Sequence, residues 1–285
     1  MSEFELIDRY FKRTLQTRED VCLGVGDDCA MLSPKIGERL LVSSDTLVSG
    51  RHFDDAIKTE DLGFFALKVN LSDLAAMGAT PAWATLALTL PAESEKWLAD
   101  FSKGFFALAD HYQVALVGGD MTAGPLSITL TVMGQAPAAC VLKRSGAKPG
   151  DLIFVSGTIG DVTPEKLYHQ LPCVELGLAL RDVASAAIDI SDGVLADLNH
   201  ILMASNVGAD ICFDHVPFAD HVKDKEAALT AGYDYELCFT VSPEDRKKVP
   251  ENCTCIGKVT TDLDLTVKTL SGKVLHFDTL GYQHF

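Results

Sequence analysis

The sequence predicts a two-domain protein of the α/β (α+β) class, and three observations carry that reading. Helical and strand periodicities alternate along the 285 residues. Residues 136–150 hold two prolines, two glycines and three basic residues and break both periodicities, which marks a domain boundary. Five short segments each close an apolar run with an aspartate: Gly26-Asp27-Asp28, Ser43-Ser44-Asp45-Thr46, Asn70-Leu71-Ser72-Asp73, Gly118-Gly119-Asp120 and Asp189-Ile190-Ser191-Asp192-Gly193.

In chain order, Phe4, Ile7, Phe11 and Leu15 share one helical face and predict an N-terminal helix. A strand at 40–42 delivers Ser43, Ser44 and Asp45 at its end, and a long helix covers 61–77. A strand at 84–90 stops at Pro91, and the next helix carries Trp97, Phe101, Phe105 and Leu108 on one stripe. Strands at 114–117, ending in Gly118-Gly119-Asp120, and at 127–134 complete an N-terminal domain, 1–137. After a linker, 138–150, the C-terminal domain, 151–285, holds a strand at 151–155, a short helical segment, a strand at 185–190 and a helix at 193–204. Further strands are predicted at 209–213, 235–241 and 265–269, with no low-complexity tract or short repeat anywhere.

Composition narrows the function. Hydrophobic residues make up 47%, enough for a real core. The balance of 24 Lys+Arg against 40 Asp+Glu gives a net charge of −16, which disfavours nucleic acid and anionic membranes. A polyanionic substrate would need metal ions as escorts. No apolar run approaches the roughly 18 to 20 residues of a membrane span, and the acidic, amphipathic N-terminus is unlike a signal peptide, so a cytoplasmic protein is expected. Most of the eight cysteines sit among apolar neighbours, as core residues in a reducing compartment do. Cys253-Thr254-Cys255 is the one close pair, and a lone C-x-C is read as packing rather than zinc.

Carboxylates gathered at the ends of buried elements repel one another by about 4 kcal/mol per pair at 4 Å with an effective dielectric near 20. Oxygen ligands without a His or Cys cluster suit magnesium, whose usual partners are carboxylates, water and nucleotide phosphates. Asp73 lies on a stripe with Leu62, Ala66, Val69 and Ala76, so it is either a buried acid needing a cation or the first-turn acid of a fresh helix starting at Asn70 or Ser72. Asp45, Asp120 and Asp189 are placed at or near the carboxyl ends of strands, where α/β sheets bind ligands. Ser191 and Asp192 stand where a helix begins, so backbone N–H groups there are candidates to hold a phosphate, and simple N-capping is the alternative. The Walker A loop, the kinase H-R-D and D-F-G triplets and the zinc-hydrolase H-E-x-x-H spacing are all absent. Gly24-Val25-Gly26-Asp27-Asp28-Cys29 has Cys where a dinucleotide fingerprint needs its third glycine.

The runs Val25-Gly26-Asp27-Asp28-Cys29-Ala30, Ser44-Asp45-Thr46-Leu47-Val48, His52-Phe53, Asn70-Leu71-Ser72-Asp73-Leu74-Ala75-Ala76-Met77-Gly78-Ala79, Gly118-Gly119-Asp120, Arg144-Ser145-Gly146-Ala147-Lys148-Pro149-Gly150-Asp151 and Ile188-Asp189-Ile190-Ser191-Asp192-Gly193 follow in order. With Asp234-Tyr235-Glu236-Leu237 and Gly281-Tyr282, the chain resembles the thiamine-monophosphate kinases over nearly its whole length. The resemblance implies the two-domain aminoimidazole ribonucleotide synthetase-like fold, an N-terminal mixed sheet with helices plus a C-terminal α/β domain, and a homodimer joined through the N-terminal domains. It implies ATP-dependent phosphorylation of thiamine monophosphate to thiamine diphosphate with several magnesium ions. Carried across by motif, Asp28, Ser43, Ser44, Asp45, Asp73, Asp120, Asp189 and Asp192 would be metal ligands or their support, with Asp27 an alternative to Asp28. Gly119, Asp120, Arg144 and Ser191 would meet ATP, His52 and Tyr282 would face the thiamine phosphate, and the catalytic roles would fall to Asp45, Asp120 and Arg144.

Two departures stand on the acceptor side. The family's glutamate before Asp-Tyr-Glu-Leu is Tyr233 here, whose ring offers the thiazolium a cation-π contact in place of a charge. The family's longer helical insertion after the position of Gly160-Asp161 is reduced to a few residues before Tyr168-His169-Gln170-Leu171-Pro172. Two rival readings therefore remain: a catalytically inactive magnesium- or nucleotide-binding homologue, and another ATP-dependent synthetase of the same fold.

Overall fold

In the computed structural model, which describes residues 2–13, 18–54, 56–92 and 94–283, the chain divides into two compact units. The first holds 1–74, 79–139 and 168–171, and the second holds 75–78, 140–167 and 172–285. The change of unit near 139 falls inside the stretch predicted as a linker. That stretch is bonded into the second unit: the Gly146 and Ala147 N–H groups donate to Ser205 Oγ, and the Gly150 N–H donates to the Val259 carbonyl.

The first unit opens with α1 (Glu3–Tyr10), whose start is fixed by reciprocal hydrogen bonds between Ser2 and Glu5. Leu15, assigned to this helix from the sequence, lies outside the described residues. A small ribbon, β1 (Val21–Leu23) and β2 (Met31–Leu32), precedes the elements of a four-stranded sheet: β3 (Glu38–Val48), β4 (Thr80–Leu90), β5 (Ala115–Ala123) and β6 (Ser127–Pro137). Their order is β3-β6-β4-β5, and only β4 and β5 run parallel. The helices are α2 (Thr59–Ala76) and α3 (Glu95–His111). From Leu62 onward every residue of α2 except Phe64 and Asp73 is buried, Lys68, Asn70 and Ser72 included, so the helix is covered on all sides. The two helices touch backbone to backbone, because a Cβ on Gly63 would stand 2.1 Å from the Phe101 carbonyl oxygen and one on Gly104 1.8 Å from that of Glu60.

Two sequence expectations change here. The strand carrying Ser43 to Asp45 continues to Val48, and the one carrying Asp120 continues to Ala123. Neither aspartate ends its strand, and in a mostly antiparallel sheet the rule about carboxyl ends does not apply. The Thr46-Leu47-Val48 run favours extension. At Gly119 a φ of +148° carries β5 through its two glycines, where a Cβ would collide with the Leu86 carbonyl oxygen.

The second unit is built on a seven-stranded mixed sheet of β7 (Leu152–Ser156), β8 (Ala184–Asp189), β9 (Gly208–Cys212), β10 (Leu237–Val241), β11 (Cys253–Thr260), β12 (Leu265–Lys268) and β13 (Val274–Leu275). Its order is β13-β12-β9-β11-β7-β10-β8. Short helices α4 (Pro164–His169), α5 (Val174–Ala179) and α7 (Lys225–Ala228) accompany α6 (Val194–Ser205). Val194, Leu195, Leu198, Ile201 and Leu202 of α6 join Ile153, Val155, Ile188 and Ile211 in one core cluster. β11 was not anticipated, because the short alternation of Cys253-Thr254-Cys255 breaks at Ile256-Gly257, where the strand's register shifts. Its two cysteines make separate weak contacts, to Asn252 Oδ1 and to the Gly257 carbonyl.

Candidate functional site

In the first unit the candidate ligands fall into two sets. Ser43 and Asp45 share the face of β3 that meets α2, where Ser43 Oγ donates to Asp73 Oδ2 at 2.5 Å and the Asp45 N–H donates to Asn70 Oδ1 at 3.2 Å. Because β3 is an edge strand, its outward N–H groups need partners, and Asn70 of α2 supplies one of them. α2 runs unbroken through Asp73, so the fresh-helix alternative is removed. Ser44 points to the opposite face and bonds to Thr131 Oγ1 and the Leu130 carbonyl, so it does not join Ser43 and Asp73.

The other set lines a cavity of about 510 Å³ between α1, the 25–30 turn and β5. Asp27, Asp28, Gly118, Gly119 and Asp120 form its polar wall, and Asp8 and Lys12 add charge. Asp27 Oδ1 accepts the Asp28 N–H at 2.9 Å, which sets the turn and leaves the exposed Asp28 side chain facing the cavity. Phe4, Ile7 and Phe11 of the predicted helical stripe line the same space, although Phe4 is largely exposed. The two sets sit on opposite edge strands of the β3-β6-β4-β5 sheet, three strand spacings or about 14 Å apart. Asp45 and Asp120 are thus not brought together within the unit, and among the described residues no three acids, histidines or cysteines are grouped to hold a metal.

Beside these sets, His52 Nδ1 accepts the Val48 N–H at 3.0 Å, so the neutral ring carries its proton on Nε2.

In the second unit Asp189 ends β8 and is buried, and Ser191, Asp192 and Gly193 form the turn into α6. Sequence reasoning offered their N–H groups to a phosphate. The structure gives them to Asp197, whose Oδ2 accepts from Ser191 at 3.0 Å, Asp192 at 3.0 Å and Gly193 at 3.1 Å. Asp197 is only 2% exposed, and burial pushes its carboxyl up to about 7 against the opposing pull of the three N–H donors. It was missed from the sequence, although Val194, Leu198 and Ile201 share its stripe, the same signal that marked Asp73.

The turn is also held by backbone bonds: Tyr233 N–H to the Ser191 carbonyl, Tyr235 N–H to that of Ile190, and Tyr282 N–H to that of Asp192. Tyr233 and Tyr235 adopt φ of +75° and +50°, costly for side chains of their size, and their rings meet edge to face at 6.1 Å. Between them Asp234 is buried. Its Oδ1 accepts the Gly160 N–H at 2.7 Å, and Oδ2 has no hydrogen-bond partner among the described residues. Burial pushes Asp234 up to about 7, the Gly160 bond and Lys166 pull it down, and Glu236 and Asp161 raise it. Lys166 and Glu236 form a buried ion pair at 3.1 Å.

Arg144 is exposed, and its carbonyl accepts from Ser205 Oγ at 3.2 Å, at the C-terminal end of α6. Ser191 lies before the other end of that 12-residue helix, about 18 Å away. The structure does not bring these two expected ATP contacts side by side. Asp151, the last residue of the Arg144 motif, is structural: its Oδ2 accepts from Ser185 Oγ and the Lys148 N–H.

The chain matches the family of AIR synthase related proteins in both parts, the N-terminal domain over residues 26–136 and the C-terminal domain over 138–268. Fold and site together define a two-domain protein of that class. A thiamine-monophosphate kinase of Salmonella typhimurium is 47% identical over 318 aligned positions, covering 99% of this chain and 98% of the relative. The crystal structure of thiamine-monophosphate kinase from Stenotrophomonas maltophilia is 42% identical with a TM-score of 0.85, covering 94% of this chain and 96% of that one. AaThiL complexed with AMPPCP and TMP is 26% identical with a TM-score of 0.78, covering 99% and 96%. The chain belongs to the thiamine-monophosphate kinase family. Its 285 residues against 318 aligned positions leave at least 33 positions of the Salmonella relative without a counterpart here.

Proposed function

We propose that the protein transfers the terminal phosphate of ATP directly, in line, to thiamine monophosphate, giving thiamine diphosphate, with several magnesium ions. The observation that carries this is the 510 Å³ cavity walled by Asp27, Asp28 and Gly118-Gly119-Asp120, in a chain 47% identical to a thiamine-monophosphate kinase. The donors fit the metal: they are all oxygen, and magnesium is commonly held by one or two carboxylates plus substrate phosphates rather than by a closed protein cage. Asp28 or Asp27, with Asp120, would hold it at the cavity, and Asp45 with the Ser43–Asp73 pair would hold it at the other edge. Asp189 and Asp192 are the candidate ligands of the second unit. Bound there, magnesium would neutralise phosphate charge and hold the phosphates in alignment.

The chain's own groups have modest tasks. A phosphate monoester has a second pKa near 6, so the acceptor is already mostly dianionic at neutral pH and no residue needs to remove a proton. Gly119, with no side chain, leaves room for close approach beside Asp120. Arg144 adds a fixed positive charge for nucleotide phosphate. His52, protonated on Nε2, can donate to the acceptor phosphate, and Tyr233 and Tyr282 supply aromatic surface to thiamine. A homodimer is supported by the sheet face turned away from α2, where Leu40, Val42 and Val48 are exposed. Val42→Glu is expected to convert it to a monomer in light scattering. A cytoplasmic location is supported by eight cysteines that are all free.

Chromatography of the protein incubated with magnesium-ATP and thiamine monophosphate tests the reading. Thiamine diphosphate is expected, and a folded, ATP-binding sample that makes none would refute the kinase activity. Tyr233 and the missing positions favour one second reading, an inactive nucleotide-binding homologue. Magnesium-ATP stabilises either protein against heat, and turnover separates them.

A further inference from the structure

We infer that Asp234 is a positioning residue for the acceptor: through its bond to Gly160 it holds Tyr233 and Tyr235 in a backbone conformation that neither would keep alone, and so sets the Tyr233 ring for thiamine monophosphate. The ligand, and the contact of Tyr233 with it, rest on the kinase reading, and the remainder rests on geometry. Tyr233 and Tyr235 lie in the left-handed region, at φ of +75° and +50°, where bulky side chains are rarely found. Such strain persists only where the surroundings over-determine it, and it gathers at ligand sites. The Tyr233 and Tyr235 N–H groups donate to the Ser191 and Ile190 carbonyls at 2.9 and 2.8 Å. Between them the Asp234 side chain, 2% exposed, accepts the Gly160 N–H at 2.7 Å.

The far end of that bond is itself fixed. The Ile159 N–H donates to the Pro217 carbonyl at 2.9 Å, the Ile159 carbonyl accepts from the Ala219 N–H at 3.1 Å, and Lys166 Nζ donates to the Thr158 carbonyl. Asp234 costs more than a simple anchor would, because its Oδ2 is buried with no hydrogen-bond partner among the described residues. A turn that needed only to close would carry glycine at 233 and 235, where this chain keeps two aromatic rings in edge-to-face contact at 6.1 Å. Gly160 also opens the segment in which the chain is shorter than its family, and Tyr233 stands where the family has its glutamate. One hydrogen bond, through Asp234, joins the two departures on the acceptor side, so a change at one reaches the other.

Steady-state kinetics and amide hydrogen exchange on the whole protein test this. Asp234→Ala is expected to raise KM for thiamine monophosphate about tenfold, while kcat and KM for magnesium-ATP stay within about twofold of the parent. Asp234→Asn, which keeps an acceptor oxygen for Gly160, should recover most of the loss. In a Tyr233→Leu background Asp234→Ala should add less than about twofold, because its effect acts through that ring. A folded Asp234→Ala protein with parental KM, or an equal effect in both backgrounds, would refute the proposal. By linkage, a ligand that binds the held conformation also steadies it, so thiamine monophosphate is expected to slow exchange at the amides of Gly160, Tyr233 and Tyr235 in the parent protein. That arm decides the matter if Asp234→Ala does not fold, and unchanged exchange at all three amides overturns the inference. Slowed exchange without formation of thiamine diphosphate would sink the kinase reading and leave the role of Asp234 standing.

Discussion

At Gly118–Asp120 the candidate ligand stands exposed on an edge strand and faces a cavity, whereas at Asp189–Gly193 the backbone is committed before any ligand arrives. The first place is shaped by what is missing, a side chain at Gly119. The second is shaped by what is buried, Asp197 beneath the turn and the Lys166–Glu236 pair beside Asp234. An exposed acid is cheap to keep and free to bind. A buried one adds geometry at a cost in stability. The same chain therefore leaves some of its acids exposed and uses others to hold the backbone, and substitutions should separate the two.

The largest effect is expected at the buried pair. Lys166→Met takes the cation away from buried Glu236 and leaves its charge to the neutral Ser156 hydroxyl and Cys173 thiol, which is expected to cost about 3–5 kcal/mol in a denaturant melt. Loss of less than about 1 kcal/mol would mean that Glu236 is already satisfied without the lysine. Asp120→Asn should do the opposite: on the proposed role it removes a carboxylate that would hold magnesium beside the phosphates, and turnover is expected to fall about 10²- to 10³-fold. As an exposed side chain it should change stability by no more than about 0.5 kcal/mol. A stability loss equal to that of Lys166→Met would erase the contrast between the two regions.

A smaller effect is expected with pH. Asp234 has a folded value of about 7, above its ordinary 3.8. A carboxyl raised in the folded state contributes stability that is complete below about pH 4 and is lost as pH rises through 7. Asp234→Asn should flatten the decline in melting temperature between those values. Unchanged slopes in parent and variant would show that Asp234 stays ionised throughout.

Much of this was legible in the sequence. The Trp97, Phe101, Phe105 and Leu108 stripe gave α3, and the apolar run before Asp189 gave β8, because both are simple periodic patterns with clear ends. Every acid now lining the cavity, apart from Asp8, came from a short motif. Strand length was not legible: Gly-Gly reads as a turn, and only a bulged edge strand with a φ of +148° carries β5 past Asp120. Nor was the partition of the acids, since spacing along the chain does not state which edge of a sheet each strand will occupy. Asp197 escaped because a helical aspartate is ordinary until its three N–H partners are seen.

The crossing of α2 and α3 has a mechanical consequence. Two absent methyl groups, at Gly63 and Gly104, set the distance between the helix axes, and one of those helices carries Asn70 and Asp73 against the free edge of β3. Adding a carbon at either crossing would push the helices apart like a shim under a hinge. Asp73 would then be drawn off Ser43 by a change made at neither residue.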